Sequence, residues 1–325
     1  MAVFIIRRLL QAVFVVFAMS VIVFVGVNAV GDPVHMFVSP DAPQEEIERV
    51  IRQFGLDRPI WEQYGLFLQG AIRGDLGNSY VFGSPAITLI LERMPATMEL
   101  AITALLLAVV LGIPLGLYAG LRPDTRLSNI IMAGSILGFS LPTFWVGLVM
   151  IIVFAVELGL LPSTGRGDLA TVFGITSSAF TLDGLSHLAM PALNLALLKI
   201  SLVIRLTRAG VREAVSQDYI KFARAKGLSE RRVVGVHLMK NILIPVVTVL
   251  GLEFGSLIAF SVVTETIFAW PGMGKLLIDA ILTLDRPLIV AYLMMIVLVF
   301  VLINLIVDIV YSLLDPRVRL RDQGA

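Results

Sequence analysis

Residues Thr207–Asn241 read TRAGVREAVSQDYIKFARAKGLSERRVVGVHLMKN, a charged segment within a sequence that is otherwise strongly apolar. Nine basic and three acidic residues lie between positions 205 and 240. The flanking stretches are mainly apolar: His187–Leu206 contains Lys199 and, next to its end, Arg205, and Ile242–Thr264 contains Glu253. About 20 residues of α-helix suffice to cross the hydrocarbon of a bilayer. The pattern therefore predicts two membrane-spanning helices joined by a polar loop.

Four further runs contain no charged side chain and are each long enough to span a membrane. They are Leu9–Val30, Leu100–Leu121, Leu127–Val156 and Pro287–Val307. Apolar residues make up 58% of the chain and charged residues 15%, against roughly 45–50% and 25% in soluble domains. We therefore expect an all-α polytopic membrane protein with about six transmembrane helices. The first run is too long for a signal peptide and no A-x-A site follows it, so we expect it to be retained.

The distribution of basic residues predicts the orientation of these helices. With the N-terminus inside, 16 Lys and Arg residues lie on the cytoplasmic side and 8 lie in the much longer outer segments. Cytoplasmic loops of membrane proteins carry an excess of Lys and Arg. We therefore expect both termini and the loop 207–241 to lie in the cytoplasm.

The sequence divides into three parts on this topology. Residues 1–30 form an N-terminal transmembrane helix, residues 31–98 an extracytoplasmic helical cap, and residues 99–325 the transmembrane core. Apolar side chains at helical spacing in 47–54 and 60–72 predict two short helices in the cap, with a positive φ at Gly55. A loop that only folds back onto its own spans remains an alternative. In the third apolar run, Pro142 and Gly147 predict a kink or a re-entrant end.

The last outer loop, Glu265–Lys275, reads ETIFAWPGMGK. Its aromatic residues Phe268 and Trp270 are typical of the belt that anchors membrane proteins at the lipid–water interface. Contact with a partner protein is the alternative interpretation.

Catalytic and energy-coupling motifs are absent from the sequence. There is no G-x-x-x-x-G-K-[ST] phosphate loop, no H-E-x-x-H, no G-x-S-x-G and no cysteine. The three histidines, His35, His187 and His237, are far apart in sequence. We therefore expect no enzymatic activity, no metal site and no bound cofactor in this chain. A multi-span protein of this kind is a channel, an ion-driven carrier or a subunit driven by a separate ATPase.

Three charges lie within the predicted spans or at their edge: Lys199, Glu253 and, one residue after the last run, Asp308. Charged side chains facing lipid are costly, so they should face a helix interface, a cavity or one another. They are candidates for a translocation path. The alternative is a buried ion pair that locks helices together, or side chains that reach to the interface.

Within the charged loop, the apolar spacing predicts a helix over 211–222 that ends at Gly227. Ser229 is then positioned to cap a second helix that leads into the fifth span. The small residues at this turn allow close approach of another backbone. Simple topology-setting charge and attraction to anionic lipid are alternatives, but neither accounts for the alanine–glycine spacing. Nucleic-acid binding is not expected from so short a basic loop.

Over nearly its whole length the chain resembles the first of the two membrane subunits of bacterial dipeptide and oligopeptide ABC importers. The order and spacing of several short motifs carry this resemblance. They are Arg7-Arg8-Leu9, Gly31-Asp32-Pro33, Gly55-Leu56-Asp57-Arg58-Pro59, Gly74-Asp75-Leu76-Gly77-Asn78-Ser79, Asp218-Tyr219, Ala223-Arg224-Ala225-Lys226-Gly227-Leu228, Asn241 with Pro245, Glu265 through Gly274, and Asp315-Pro316-Arg317.

The resemblance implies the type I importer permease fold, in a bacterial cytoplasmic membrane, and an ATP-driven import of di- or oligopeptides. It implies a homologous second permease, two ABC ATPase subunits that bind ATP and Mg²⁺, and an extracytoplasmic binding protein. It also implies that the loop 207–241 is the coupling loop that docks on an ATPase. The residues it assigns to this contact are Tyr219, Phe222, Ala223, Arg224, Ala225, Lys226 and Gly227.

Two departures and several alternatives accompany the resemblance. The glutamate of the general importer loop is missing here, and Gly227 stands farther from Pro245 than in the general pattern. Import of nickel chelates, glutathione or oligosaccharides by the same machinery is an alternative to peptides. An ion-coupled carrier or channel is the alternative from a different class.

Overall fold

The computed structural model describes the backbone of residues 2–29, 38, 43–53 and 55–314, and the side chains of residues 6–27, 38, 43–52 and 55–307. The C-terminal motif Asp315-Pro316-Arg317 and most of segment 30–42 lie outside the described residues. The helices are α1 Ala2–Ala29, α2 Gln44–Gln53, α3 Ile60–Ile72, α4 Ala86–Leu121, α5 Arg126–Ser140, α6 Thr143–Met150, α7 Leu182–Val215, α8 Asp218–Ala225, α9 Glu230–Arg232, α10 Met239–Ile267, α11 Met273–Leu282 and α12 Arg286–Leu314.

Shorter elements complete the described chain. Two π-helical segments, Ile151–Glu157 and Val233–Leu238, follow α6 and α9. Strands β1 Ala170–Val172 and β2 Ile175–Ser177 form an antiparallel hairpin, and a 3-10 turn, Ser178–Phe180, joins it to α7.

The membrane-spanning helices agree with the apolar runs of the sequence. Among the described residues, five helices are long and apolar enough to cross a bilayer: Ile6–Val27, Ala86–Leu121, Leu182–Val215, Glu230–Ile267 and Arg286–Val307. The sixth predicted span is a bent pair, Arg126–Ser140 and Thr143–Glu157, with an angle of 107° between its halves.

Proline explains the bend in this third span. Pro142 is the N-cap residue that precedes α6, and the residue before it, Leu141, is extended with a ψ of 134°. A residue that precedes proline is disfavoured in the α conformation, so the helix ends there. The kink predicted at Pro142 is confirmed.

The described chain divides into two compact units. Unit one comprises Met1–Pro95 and Pro271–Leu302, and unit two comprises Ala96–Trp270 and Ile303–Ala325.

In unit one, the two short helices predicted in segment 31–98 are present as α2 and α3, and Gly55 has a φ of +65° as expected. Helix α3 packs back onto the first span. The Phe24 ring lies 5.3 Å from the Tyr64 ring and 5.5 Å from the Phe67 ring, and the hydroxyls of Ser20 and Tyr64 are 2.8 Å apart. Both interpretations of this segment therefore hold in part, since it forms helices and one of them folds back onto a span.

In unit one, Asp285 links the loop before α4 to the start of α12. Its buried carboxylate accepts hydrogen bonds from the Ser79 hydroxyl and from the backbone N–H groups of Tyr80 and Val81. It also accepts from the N–H of Leu288, in the first turn of α12. One carboxylate thus satisfies backbone donors of the loop before α4 and of the helix N-terminus.

The core of unit two is built on close contact between α4 and α7. Gly112, Gly116 and Gly120 lie one turn apart on the face of α4 that meets α7. A Cβ atom at Gly116 would come within 2.7 Å of the Ile204 carbonyl oxygen, and one at Gly120 within 2.5 Å of the Val211 Cβ. Small residues allow helix backbones to approach closely in membranes, where packing rather than water drives association.

Candidate functional site

The loop 207–241 folds as a helix, a break, a short helix and a turn. Helix α7 continues from the membrane span to Val215, and Ser216 and Gln217 separate it from α8. The prediction of one helix over 211–222 is therefore wrong. Gln217 is extended, with a ψ of 149°, and the Ser216 hydroxyl donates to the Glu213 carbonyl at 2.9 Å. Serine side chains that bond nearby backbone groups compete with helix continuation in this way.

The turn after α8 has the predicted glycine geometry. Gly227 has a φ of +76°, and its N–H donates to the Arg224 carbonyl at 2.9 Å. The Leu228 N–H donates to the Ala223 carbonyl at 3.3 Å. Ser229 occupies the predicted N-cap position of α9, but its side chain makes no capping hydrogen bond. Backbone hydrogen bonds therefore set the conformation of this turn.

Helix α8 presents an aromatic pair outwards. Ile220 and Ala223 are buried against the rest of the chain, at 0% and 5% exposure. Tyr219 and Phe222 lie on the other face, with 39% and 61% of their surface exposed. Exposed large apolar side chains that cluster on one element mark interaction sites.

Charged side chains brace this helix and its turn. The Arg224 guanidinium donates from Nε to Glu230 Oε1 at 2.7 Å and from a terminal nitrogen to Glu230 Oε2 at 3.2 Å. These hydrogen bonds raise the pKa of Arg224 above its already high value. The Lys226 ammonium lies 4.5 Å from the centre of the Phe222 ring. Lys221 is paired with Asp218 at 3.0 Å.

The seven predicted contact residues therefore lie together, in α8 and the turn that follows it. Glu230, the partner of Arg224, is absent from the predicted set. The sequence signal for it is a carboxylate three residues after Gly227, on the opposite side of the turn.

The intramembrane charges Lys199 and Glu253 contact each other. The Lys199 ammonium donates to the Glu253 carboxylate and, at 2.8 Å, to the Ser256 hydroxyl. The Ser256 hydroxyl in turn donates to Glu253 Oε2 at 2.7 Å. This cluster joins α7 to α10. Asp308 lies in α12, and its side chain is outside the described residues.

Two carboxylates in unit two, the partly buried Glu99 and the fully buried Glu265, are not among the predicted site residues. Glu99 accepts hydrogen bonds from the hydroxyls of Ser177 and Ser178 at 2.8 and 2.6 Å and pairs with Arg166. Glu265 is fully buried and accepts from the hydroxyls of Thr97 and Ser261 at 2.7 and 2.9 Å.

The aromatic residues of the last loop are buried as well. Phe268 and Trp270 are 1% and 0% exposed, and the Trp270 indole donates to the Ala96 carbonyl at 2.9 Å. The prediction that they anchor the protein at the lipid interface is therefore wrong. Trp270 is instead a core residue whose polar atom is satisfied by a backbone 174 residues away.

A cavity of about 560 Å³ lies within unit one, between the end of α1, α3 and the start of α12. Arg52 and Arg58 at its wall are each paired with a glutamate on the adjacent helical turn, Glu48 and Glu62. The charge of these two guanidinium groups is therefore largely balanced within the chain.

Comparison with known proteins identifies the family. Residues 112–320 match the family "Binding-protein-dependent transport system inner membrane component", and residues 1–101 match the N-terminal family of such membrane components. The chain is 38% identical over 320 residues to the oligopeptide transport system permease protein AppB of Bacillus subtilis, covering 98% of this chain and 99% of AppB. It is 37% identical to the glutathione transport system permease protein GsiC of Escherichia coli, covering 97% and 98%.

A further relative and one solved structure agree with this assignment. The di/tripeptide transport system permease protein DppB of Pseudomonas aeruginosa is 37% identical, covering 97% of this chain and 98% of DppB. The structure of the MetNI methionine ABC transporter in an inward-facing conformation aligns with a TM-score of 0.52 at 17% identity, over 70% of this chain and 97% of that one. The likeness to MetNI supports the predicted ABC importer permease fold. The chain therefore belongs to the family of inner-membrane components of binding-protein-dependent transport systems, as a multi-pass permease subunit.

Proposed function

We propose that this permease subunit imports di- or oligopeptides that a binding protein delivers, and that separate ATPase subunits drive it through the loop 207–241. The observation that carries the proposal is the exposed pair Tyr219 and Phe222, presented on a helix that hydrogen bonds and buried residues hold in place. When a partner covers an aromatic pair on a cytoplasmic surface, burial of the two rings makes the binding free energy more favourable.

The position of this surface suits energy coupling. Helix α7 has 34 residues and is about 51 Å long, so it joins the loop at one end to the β1–β2 hairpin at the other. Displacement of α8 by a docked ATPase would be passed directly into this span and, through the segment 233–238, into α10. The chain itself needs no nucleotide in this scheme, because the partner subunits bind ATP and Mg²⁺.

The proposed assembly contains this chain, a homologous second permease, two ABC ATPases and an extracytoplasmic binding protein in the bacterial cytoplasmic membrane. Both termini and the loop 207–241 face the cytoplasm, in agreement with the excess of basic residues on that side. Residues 31–98 form the extracytoplasmic cap, and residues 99–325 form the permease core. Lys199, Glu253 and Asp308 remain candidates for the path or for helix locking. No nucleic acid is involved.

Peptides are the proposed substrate class because AppB and DppB carry oligopeptide and di/tripeptide names at 38% and 37% identity. Glutathione is the alternative, supported by the similar identity of GsiC. A ligand screen on the cognate binding protein distinguishes them. Binding of di- and oligopeptides supports the proposal, and selective binding of glutathione replaces it.

The coupling role is tested by replacing both aromatic residues, Tyr219→Ala with Phe222→Ala, in the assembled transporter. We expect loss of ATPase co-purification and of uptake, with normal membrane insertion, because the apolar contact is removed. Phe173→Ala is the matched control, since Phe173 is fully exposed at the tip of the β1–β2 hairpin, at the other end of α7. Normal co-purification and uptake in the double variant would refute the docking assignment and place the ATPase contact elsewhere on the chain.

A further inference from the structure

The Arg224–Glu230 pair closes the turn of the coupling loop from within the chain. Arg224 lies in the last turn of α8, and Glu230 is the first residue of α9, on the far side of Gly227. Two parallel hydrogen bonds, of 2.7 and 3.2 Å, join the guanidinium to the carboxylate. Bidentate pairs of this kind fix the direction of both side chains, which a single contact does not do.

This geometry changes which cations are available to a partner. The Arg224 side chain directs its Nε and one terminal nitrogen back at its own loop, so this edge of the guanidinium is already occupied when an ATPase docks. Lys226 is directed differently, because its ammonium lies over the Phe222 ring, 4.5 Å from its centre. Ring and ammonium together form one exposed feature, an apolar face with a positive charge at its edge.

The buried side chains of Ile220 and Ala223 hold the body of α8, and the Arg224–Glu230 pair acts at the turn itself. The backbone bonds at Gly227 and Leu228 set the turn itself, but Gly227 leaves open space around it. Glycine gives the backbone wide freedom. A side-chain clamp on both flanks limits that freedom and holds the aromatic face of α8 in one direction.

Resting on the proposed docking function, we propose that Glu230 is a positioning residue, which clamps Arg224 so that the ATPase recognises Phe222 and Lys226. The partner surface that fits this feature is an apolar pocket with a carboxylate at its rim. Glu230 acts through Arg224 and does not touch the partner. Arg224 accordingly belongs to the brace of the loop and not to the contact.

Charge reversal separates this role from direct contact. In the assembled transporter, Arg224→Glu and Glu230→Arg alone should each lower ATPase co-purification and coupled uptake by about threefold to fivefold, the upper range for an exposed ion pair. The double variant, Arg224→Glu with Glu230→Arg, rebuilds the pair in reverse. We expect it to restore both readouts to within about twofold of the wild type.

The controls make each outcome decisive. Arg231→Glu reverses an exposed charge in the same loop outside the clamp and should leave co-purification within about twofold. A double variant that stays as defective as Arg224→Glu would overturn the inference, because Arg224 would then contact the partner directly. Normal behaviour of Glu230→Arg alone would also overturn it. Failure of the docking proposal is separate, since it would show as normal co-purification after loss of Tyr219 and Phe222.

Discussion

Gly227 is the residue on which the geometry of the coupling loop depends. Its φ of +76° lies in the left-handed region, which costs other residues about 1–2 kcal/mol. A Cβ atom at this position would meet no neighbouring atom within 4 Å. The requirement for glycine therefore comes from the backbone conformation and not from crowding.

Replacement of Gly227 by valine should disturb the turn and reduce coupled uptake and ATPase co-purification. Gly227→Asn should be much milder, because asparagine tolerates the left-handed region better than β-branched residues do. Uptake and co-purification measured side by side test this ranking. Gly235→Ala is the control, since its Cβ would also meet open space and its φ is not in the positive range. Equal defects in the valine and asparagine variants would contradict a backbone explanation.

Single residues differ in how far the sequence predicts them. The positive φ of Gly55 and Gly227 follows from glycine at the end of a helical pattern. The burial of Trp270 does not, because it depends on the carbonyl of Ala96, which is distant in sequence. The burial of the Glu265 carboxylate is likewise not predictable from the sequence, since Thr97, which donates a hydrogen bond to it, belongs to another helix.

At the scale of elements, the α4–α7 contact depends on a row of glycines. Gly116→Leu should force the two helices apart, because its Cβ alone would approach a backbone oxygen to 2.7 Å. We expect a loss of about 1–3 kcal/mol of stability, the usual cost of overpacking. Thermal unfolding in detergent and the amount of protein in the membrane measure it.

Gly134→Leu provides the matched control for this contact. Gly134 also lies in a membrane helix of unit two, α5, but a Cβ atom there would meet nothing within 4 Å. We expect its thermal unfolding to resemble that of the wild type. Equal destabilisation by both substitutions would show that the introduced side chain, and not the helix contact, is responsible.

Element boundaries were predictable where composition alone determines them. Apolar run length suffices for the spans, and proline suffices for the break before α6. The break between α7 and α8 was missed because Val211, Val215, Tyr219 and Phe222 keep helical spacing across it. Only the buried side chains, Val211 before the break and Ile220 after it, reveal that the two helices present different faces.

At the scale of the whole molecule, the Lys199–Glu253 pair has two alternative roles. It either locks α7 to α10 or lies on the translocation path. Lys199→Met or Glu253→Gln alone leaves the remaining charge without its counter-ion, at a cost of about 1–3 kcal/mol. The lower end applies, since the Glu253 side chain is 34% exposed. The double variant removes both charges and should regain thermal stability.

Peptide uptake by the double variant then decides between the two roles of the pair. Wild-type uptake with restored stability would identify the pair as a lock between α7 and α10. Restored stability with lost uptake would instead place the pair on the translocation path. A double variant as unstable as the single ones would contradict the pairing itself.

The bend in the third span has a consequence for the insertion and folding of this protein in the membrane. Ser140 and Pro142 at the bend are exposed in the single chain, and α5 ends there. Hydrocarbon offers no hydrogen bonds to the carbonyl groups of a helix end, so such a break is stable only against protein or water. After insertion into the membrane, the backbone groups at this bend therefore need either contacts with protein or the water of a polar cavity.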